Sequence, residues 1–444
     1  MTTDDTKITT SPFMPFDPLK YAAQCGPEGG WRPLDDGSFP VYPFEFTNWV
    51  DEELSWYDNC YIHAGLNPFL FYDVHGKGLL DLFTDISVNT FNKFPVGKCR
   101  HTILCNNDGK VMVDGILVRR SEEDFITMCL PDPAMLAQMT GKDYGFTSKD
   151  TCAKRFFFQL CGPRSLEVVE QAAKTDLHDL EFMYLVDAKI ADKDVFILRT
   201  SMAGTLGYEV HGMVEDAHEV YECLMEVGKE YGITELGRHA YRNAHTEGSI
   251  PQVNTHWPAA DFPFPIKVTG SLDPASELVY RSPVDLGWEG MVNFGHEFPG
   301  KAAIQAELEG HHNSMVTLVW DKADVLKAIE ASMDPENPTD VMDMVEDYDP
   351  VGGNMTVHID GVYDGDKLVG AASGRMLSPK TREMISLCTI DQDYAEQGKV
   401  VEVLWGTPGK RQVRIKATVD LFPYIKEGRN LGFDIESIPH PIFE

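Results

Sequence analysis

The sequence contains no apolar run of the roughly 18 residues that a membrane-spanning helix requires. Its first residues, MTTDDTKITTSPFMPF, lack the basic head and the apolar core of a secretory signal peptide. Both absences argue against a membrane or secreted protein. The sequence therefore predicts a cytoplasmic protein that acts without a membrane.

Paired cysteines are also absent. The chain has an odd number of cysteines, no CxxC pair and no Cys/His spacing typical of a zinc site. The nine residues are Cys25, Cys60, Cys99, Cys105, Cys129, Cys152, Cys161, Cys223 and Cys388. This pattern indicates reduced and mostly buried thiols and excludes a disulfide framework.

The motifs of several enzyme classes are missing as well. There is no GxGxxG after an expected strand, no GxxxxGK followed by Ser or Thr, no HExxH and no GxSxG. The pair His311-His312 stands alone and is interpreted as a surface pair. Nucleotide-binding, zinc-peptidase and serine-hydrolase functions are therefore disfavoured, and no metal site is predicted.

Basic residues are few relative to acidic ones. The chain has 38 Lys and Arg against 70 Asp and Glu, which gives a formal net charge of −32. A surface of this sign repels nucleic acid and anionic lipid at long range, so neither is expected as a partner. An anionic ligand would need a local positive patch.

The order of expected elements indicates a mixed fold. With 444 residues the chain is too long for one compact core, so two or three domains are expected. Residues 101–129 predict a β-hairpin around the turn NDGK, and residues 214–232 predict an amphipathic helix. Strands and helices in this order predict an α+β fold with antiparallel sheets.

The predicted domain division has four parts. An extended arm covers residues 1–40, and a main body covers residues 41–270. A middle segment over residues 271–354 includes an acidic excursion rich in Pro, Asp and Met. A small β-barrel-like domain is predicted over residues 355–444.

Two segments carry candidate chemistry. In SMAGTLGYEVHG (201–212), Glu209 enters a strand from a small-residue loop, where a carboxylate either caps a turn or accepts bonds from paired N–H donors. In GRHAYRNAHTEGSIP (237–251), Arg238, Tyr241 and Arg242 share one helix face, so Tyr241 is a candidate proton donor or acceptor. The alternative for this second segment is a solvated polar face.

Other polar and aromatic residues are open to two interpretations. Asp114 interrupts the apolar strand VMVDGILV and is either hydrogen-bonded locally or functional. A set of aromatic residues either lines an apolar slot for a ring or packs in the core. These aromatic residues are Tyr42, Phe44, Phe46, Trp257 and Phe262.

Together these segments resemble the aminomethyltransferase family, named for the T-protein of the glycine cleavage system. The matching pieces occur in order as QLCGPRSLEVV, GTLGYEVHG, GRHAYRNAHTEG, SPVDLGWEGMVNFGHEFPGKAAI, ASGRMLSP and VEVLWG. Within the family, VYPFEFTNW and the tyrosine of GRHAY resemble the tetrahydrofolate-dependent aromatic O-demethylases of the vanillate and syringate type.

The resemblance implies a three-domain cloverleaf around a central channel that binds tetrahydrofolate, with residues 41–270 forming the first two domains. It implies a methoxylated aromatic compound as substrate, and a phenol and 5-methyltetrahydrofolate as products. Tyr241 is the expected catalytic residue. The expected folate-binding residues are Glu209, Gln159, Tyr208 and Asp114, and the expected substrate-binding residues are Tyr42, Arg238 and Trp257. The protein is expected to be a monomer or a homodimer.

Departures from the family pattern bear on the substrate. Val113-Asp114 stands where glycine-cleavage enzymes carry two aspartates. Pro68 and Leu130 stand near positions where the vanillate enzymes carry His and Arg. Other folate-linked transferases, with an amine, sulfonium or methylenedioxy donor, and a folate-binding protein without turnover remain as alternatives.

Overall fold

The computed structural model describes residues 20–23, 41–64, 70–261, 266–343, 355–426 and 428–443. The helices of these residues are α1 (Trp49–Asp58), α2 (Gly78–Ile86), α3 (Pro133–Thr140), α4 (Ser165–Ala173), α5 (Ala217–Gly228), α6 (Arg238–Glu247), α7 (Lys301–Glu309) and α8 (Lys322–Ser332). Several begin at side-chain caps. Asn48 accepts from the backbone N–H groups of residues 50 and 51 at the start of α1, and Asp321 caps α8.

The first strands of the described residues are β1 (Lys20–Ala23), β2 (Val41–Glu45), β3 (Cys60–His63), β4 (Phe71–His75), β5 (Cys99–Cys105), β6 (Val111–Arg119), β7 (Asp124–Met128), β8 (Thr147–Asp150), β9 (Arg155–Cys161) and β10 (Leu185–Ile190). The later strands are β11 (Lys193–Arg199), β12 (Gly207–Met213), β13 (Ile233–Glu235), β14 (Ile266–Thr269), β15 (Asn313–Trp320), β16 (Met355–Asp364), β17 (Lys367–Leu377), β18 (Met384–Asp391), β19 (Val400–Trp405) and β20 (Val413–Asp420).

These strands form four sheets. A two-stranded sheet joins β1 and β2, a five-stranded sheet has the order β5-β6-β7-β4-β8, and a six-stranded sheet has the order β10-β11-β12-β9-β3-β13. The fourth has seven strands, in the order β14-β16-β17-β18-β15-β20-β19. Within the described residues most pairs are antiparallel, and β13 with β3 and β14 with β16 are parallel. The predicted α+β fold with antiparallel sheets is confirmed.

The six-stranded sheet separates two cores because side chains alternate along each strand. On β9, Phe156, Phe158 and Leu160 pack with residues of α4 and α5 in one apolar cluster. Phe157 and Cys161 belong to a second cluster that includes residues of the five-stranded sheet and of α6. The space between the two sheets therefore receives the side chains of alternate β9 residues.

Several local predictions are confirmed. The expected hairpin is β5 and β6, which pair across the NDGK turn, and the amphipathic helix is α5. The helix α1 stops at Asp58, and residues 60–63 form β3. Pairing with β9 and β13 buries every residue of β3, which a continued surface helix would not achieve.

The seven-stranded sheet extends across the boundary predicted at residue 355. β15 belongs to the middle segment, yet it pairs with β18 and β20. The last part of the acidic excursion, residues 344–354, lies outside the described residues. In the described parts of the chain, no helix has the length and apolarity that a membrane crossing demands.

Candidate functional site

Two of the predicted residues meet directly on neighbouring strands. Glu209 on β12 lies opposite Gln159 on β9 in the antiparallel register. Gln159 Nε2 donates to Glu209 Oε1 at 3.3 Å, and both side chains are buried. The pairing of β9 with β12 thus produces a buried amide–carboxylate pair from residues 50 positions apart.

His211 completes the surroundings of the Glu209 carboxylate. It lies two residues along β12, so it shares the same sheet face, and its Nε2 lies 2.9 Å from Glu209 Oε2. The imidazole is stacked against Phe196 and Phe157, with ring centroids 4.5 and 5.2 Å away. Burial lowers the pKa of His211, so the ring is neutral and donates its Nε2 proton to the carboxylate.

This environment leaves acceptor capacity on Glu209. A carboxylate offers about four lone-pair positions, and Gln159 and His211 occupy two. Among the described residues no Lys or Arg forms an ion pair with Glu209. The carboxylate can therefore accept two further N–H bonds side by side, and such donors would offset the cost of its burial.

A second group links Gln159 to the predicted catalytic tyrosine. Tyr61 donates its hydroxyl to Gln159 Oε1 at 3.2 Å, and His63 lies opposite Gln159 on β3. The ring of His63 stacks on Tyr241 of α6, with centroids 4.2 Å apart and planes 13° apart. The Tyr241 hydroxyl lies 3.7 Å from Met202 Sδ.

The tautomer of His63 follows from its backbone partner. His63 Nδ1 lies 2.8 Å from the carbonyl oxygen of Leu236, which only accepts, so Nδ1 carries the proton and Nε2 carries the lone pair. Burial lowers the pKa of His63 to about 4. The site thus holds a neutral imidazole with an unprotonated Nε2, stacked on the ring of Tyr241.

Asp114 faces the same space from the five-stranded sheet. Its Oδ2 lies 2.7 Å from His101 Nε2, and each side chain is 23% exposed. On β6, Asp114 lies on the same sheet face as Ile116 and Val118, whose side chains pack in the cluster that contains Tyr241 and Phe157. The structure therefore brings Asp114 and Glu209 to one region between the two sheets.

The predicted substrate-binding residues lie in three different surroundings. Trp257 is fully buried, and its indole packs edge-on against Trp288 with centroids 6.1 Å apart. Arg238 is buried at the first position of α6, the helix that carries Tyr241. The side chain of Tyr42 lies outside the described side chains, but its strand β2 is joined to α6 by His239 and Glu45, whose side chains approach to 2.9 Å.

Tyr208 lies away from the other predicted folate-binding residues. It precedes Glu209 on β12, so its side chain points to the opposite sheet face and packs in the cluster formed with α4 and α5. We therefore correct its assignment as a folate-binding residue. Strand alternation alone separates Tyr208 from Glu209.

A cluster of possible metal ligands lies elsewhere. Asp176, His178 and His440 offer ligand atoms within 4.8 Å of one another. The two imidazole rings are stacked, with centroids 3.9 Å apart and planes 20° apart. A metal ion about 2 Å from a ring nitrogen lies near that ring's plane, so stacked rings cannot both bind one ion in this arrangement.

The family follows from the comparisons with known proteins. The model of the GCVT N-terminal domain matches residues 20–269, and a solved structure of glycine cleavage system aminomethyltransferase T from Bartonella henselae has the same fold. That structure has a TM-score of 0.62 at 15% identity and covers 91% of this chain and 96% of its own. The chain therefore belongs to the GCVT aminomethyltransferase family, and the predicted fold is confirmed.

Three relatives are similar over most of their length. Sesamin methylene transferase from Sinomonas sp. is 35% identical over 433 residues, which cover 92% of this chain and 95% of the relative. Syringate O-demethylase from Sphingobium sp. is 28% identical over 422 residues, which cover 87% and 90%. An aminomethyltransferase from Thermoanaerobacter pseudethanolicus is 22% identical over 343 residues, which cover 74% and 78%.

Three histidines of the site were not predicted from the sequence. His211 carries a local signal, because it lies two residues from Glu209 on a strand. His101 lies diagonally across the β5–β6 hairpin from Asp114, so the hairpin register reveals it. His63 has no local signal, since its contact with Tyr241 depends on how α6 packs on the six-stranded sheet.

Proposed function

We propose that this protein transfers the one-carbon unit of an aromatic ether to tetrahydrofolate. The observation that carries the proposal is the buried Glu209 carboxylate, which has two acceptor positions left. The rings that stack on its partner His211, Phe157 and Phe196, belong to the apolar cluster that contains Tyr241. The relatives named as a methylene transferase and an O-demethylase support the same reaction class.

The residues present fit the pterin part of tetrahydrofolate. Its amino-pyrimidine edge offers two N–H donors side by side, which match the two remaining acceptor positions of Glu209. Gln159 and the neutral His211 hold the carboxylate from the other sides, so its orientation is set before the ligand arrives. Asp114 supplies a second acceptor from the face of the five-stranded sheet that packs in the cluster containing Tyr241.

When bound, tetrahydrofolate supplies the N5 amine that receives the carbon. The protein holds both reactants in line, an effect that can account for about 7–11 kcal/mol of the barrier. Tyr241 donates a proton to the departing aryl oxygen, which contributes roughly 10²–10⁴-fold. Tyr241 and the departing group are both phenols, so the proton passes between oxygens of the same chemical kind.

The donor that we favour is a methylenedioxybenzene, because the 35% identity to sesamin methylene transferase extends over 92% of this chain. Both C–O bonds of the ring then break, two C–N bonds form, and the two N–H protons end on the catechol oxygens.

The second candidate is O-demethylation of a methoxylated aromatic compound, which the sequence resemblance predicts and the syringate relative supports. One C–O bond breaks, one C–N bond forms, and a phenol and 5-methyltetrahydrofolate result.

Anaerobic incubation with tetrahydrofolate and a donor panel tests the proposal. The panel contains a methylenedioxybenzene, methoxyphenols, dimethylsulfoniopropionate and dimethylglycine, and the folate products are identified by mass. Formation of 5,10-methylenetetrahydrofolate with a catechol supports the favoured donor, and 5-methyltetrahydrofolate with a phenol supports the second. Turnover with the sulfonium or amine alone, or no folate product from any aromatic ether, contradicts the proposal.

A further inference from the structure

We propose that His101 is a positioning residue that fixes the Asp114 carboxylate for hydrogen bonding to bound tetrahydrofolate; this inference rests on the proposed function. Neither the family match nor the motifs of the sequence assign a role to His101. The inference comes from the contacts of His101 with three separate parts of the chain.

The first contact is within the β5–β6 hairpin. Asp114 pairs with Ile103, so His101 lies diagonally opposite it on the same sheet face. His101 Nε2 lies 2.7 Å from Asp114 Oδ2, the distance of a charge-assisted hydrogen bond. No hydrogen bond to Asp114 Oδ1 occurs in the part of the chain that the structure describes. One carboxylate oxygen is thus fixed while the other is left to accept.

The second and third contacts hold the imidazole itself. Its ring packs edge-on against Trp288, with centroids 5.1 Å apart and planes 88° apart. Its Nδ1 lies 3.3 Å from Met291 Sδ. Both partners come from the segment that follows β14, far along the chain from the hairpin. The ring is therefore restrained from outside the sheet, and its Nε2 is aimed at Asp114.

The pair occupies a border between two apolar cores. On the same face of the hairpin, Cys99 and Val118 belong to the cluster that contains Tyr241, whereas Ile103 and Val111 belong to the cluster that contains Trp257. These four apolar residues are at most 1% exposed, whereas the side chains of His101 and Asp114 are each 23% exposed. The two polar groups are consequently accessible to solvent at the junction of the cores.

The chemistry of the proposed reaction explains why a fixed carboxylate is useful there. Each C–N bond that forms releases a proton from a folate nitrogen. Asp114 Oδ1 accepts the hydrogen bond from such an N–H and takes its proton; because Tyr241 gives a proton to the departing aryl oxygen, the proton on Asp114 replaces it by way of solvent and no net proton is released. A carboxylate that rotates freely would hold this geometry only part of the time, so His101 contributes by fixing it.

The test is a double-mutant cycle between His101→Phe and Asp114→Asn, read first as the dissociation constant for tetrahydrofolate in calorimetry without any donor. We expect His101→Phe to weaken binding about tenfold in the wild-type background and to have little effect when Asp114 is already Asn. His101→Gln, whose amide can still donate to Oδ2, should restore most of the affinity. In turnover, His101→Phe should lower kcat more than it raises the KM for the aromatic donor.

His218→Phe is the matched control, because His218 pairs with Glu222 at 3.2 Å on α5, which packs on the other face of the six-stranded sheet, and is 60% exposed. Additive losses for His101→Phe and Asp114→Asn, or unchanged binding by a folded His101→Phe protein, overturn the inference. If His101→Phe fails to fold, the comparison of His101→Gln with His101→Asn decides, since only Gln has the reach to donate to Oδ2. Absence of tetrahydrofolate binding by the wild-type protein instead contradicts the proposed function itself.

Discussion

Replacing Glu209 with Gln is the most direct test of the folate site. The change keeps the shape of the side chain but removes the negative charge and converts one acceptor oxygen into an NH₂ donor. In the native protein Oε1 accepts from Gln159 and Oε2 accepts from His211. Because His211 is neutral, its proton can move to Nδ1, and its Nε2 can then accept from the new amide. We therefore expect a small change in stability.

The effect on binding should be larger. A ligand with two adjacent N–H donors meets two oxygens in the native site but one oxygen and one NH₂ group in the variant. The lost charge-assisted bond and the unpaired donor together cost about 3 kcal/mol, which corresponds to roughly a 100-fold higher Kd.

Isothermal titration calorimetry with tetrahydrofolate measures this change directly, and thermal unfolding checks that the variant is folded. Glu215→Gln is the matched control, since this substitution makes the same chemical change at an exposed position just after β12. A folded Glu209→Gln protein whose Kd stays within a few-fold of the wild-type value would refute the assignment of Glu209 as the pterin anchor.

Three further predictions concern residues of the same region. Tyr241→Phe should lower kcat by roughly 10²–10⁴-fold with little change in tetrahydrofolate affinity, because it removes the proton donor; steady-state kinetics at unchanged Kd checks this. His63 has a folded-state pKa of about 4, below its unfolded value of about 6.5, so its contribution to stability is complete above pH 6.5 and is lost as the pH falls toward 4. Denaturant unfolding across this range should show a shallower pH slope for His63→Gln, and an unchanged slope would contradict the buried neutral imidazole. Burial and the neighbouring Glu247 raise the pKa of the Glu53 carboxyl, so Glu53 contributes stability at low pH that is lost as the pH rises above about 4.3 through the folded-state pKa. Glu53→Gln, which resembles the protonated form, should unfold at higher denaturant concentration than wild type at pH 7, and a lower midpoint would count against this account.

Features that depend on neighbouring residues can be predicted from the sequence. The β5–β6 hairpin follows from its NDGK turn and flanking apolar residues, and α5 follows from its amphipathic spacing. The six ordered motifs were sufficient to indicate the family, which the match over residues 20–269 confirms. Strand alternation along β12 also predicts that Glu209 and Tyr208 face opposite sides of the sheet, although both were predicted as folate-binding residues.

Only the tertiary structure decided which distant residues share the site. Gln159 reaches Glu209 because β9 and β12 are neighbours in register, and His63 reaches Tyr241 because α6 packs beside β3. Trp257 is fully buried against Trp288. Sheet order and helix packing are set by the burial of whole apolar faces, so residues far apart in sequence come together for reasons that no local pattern contains.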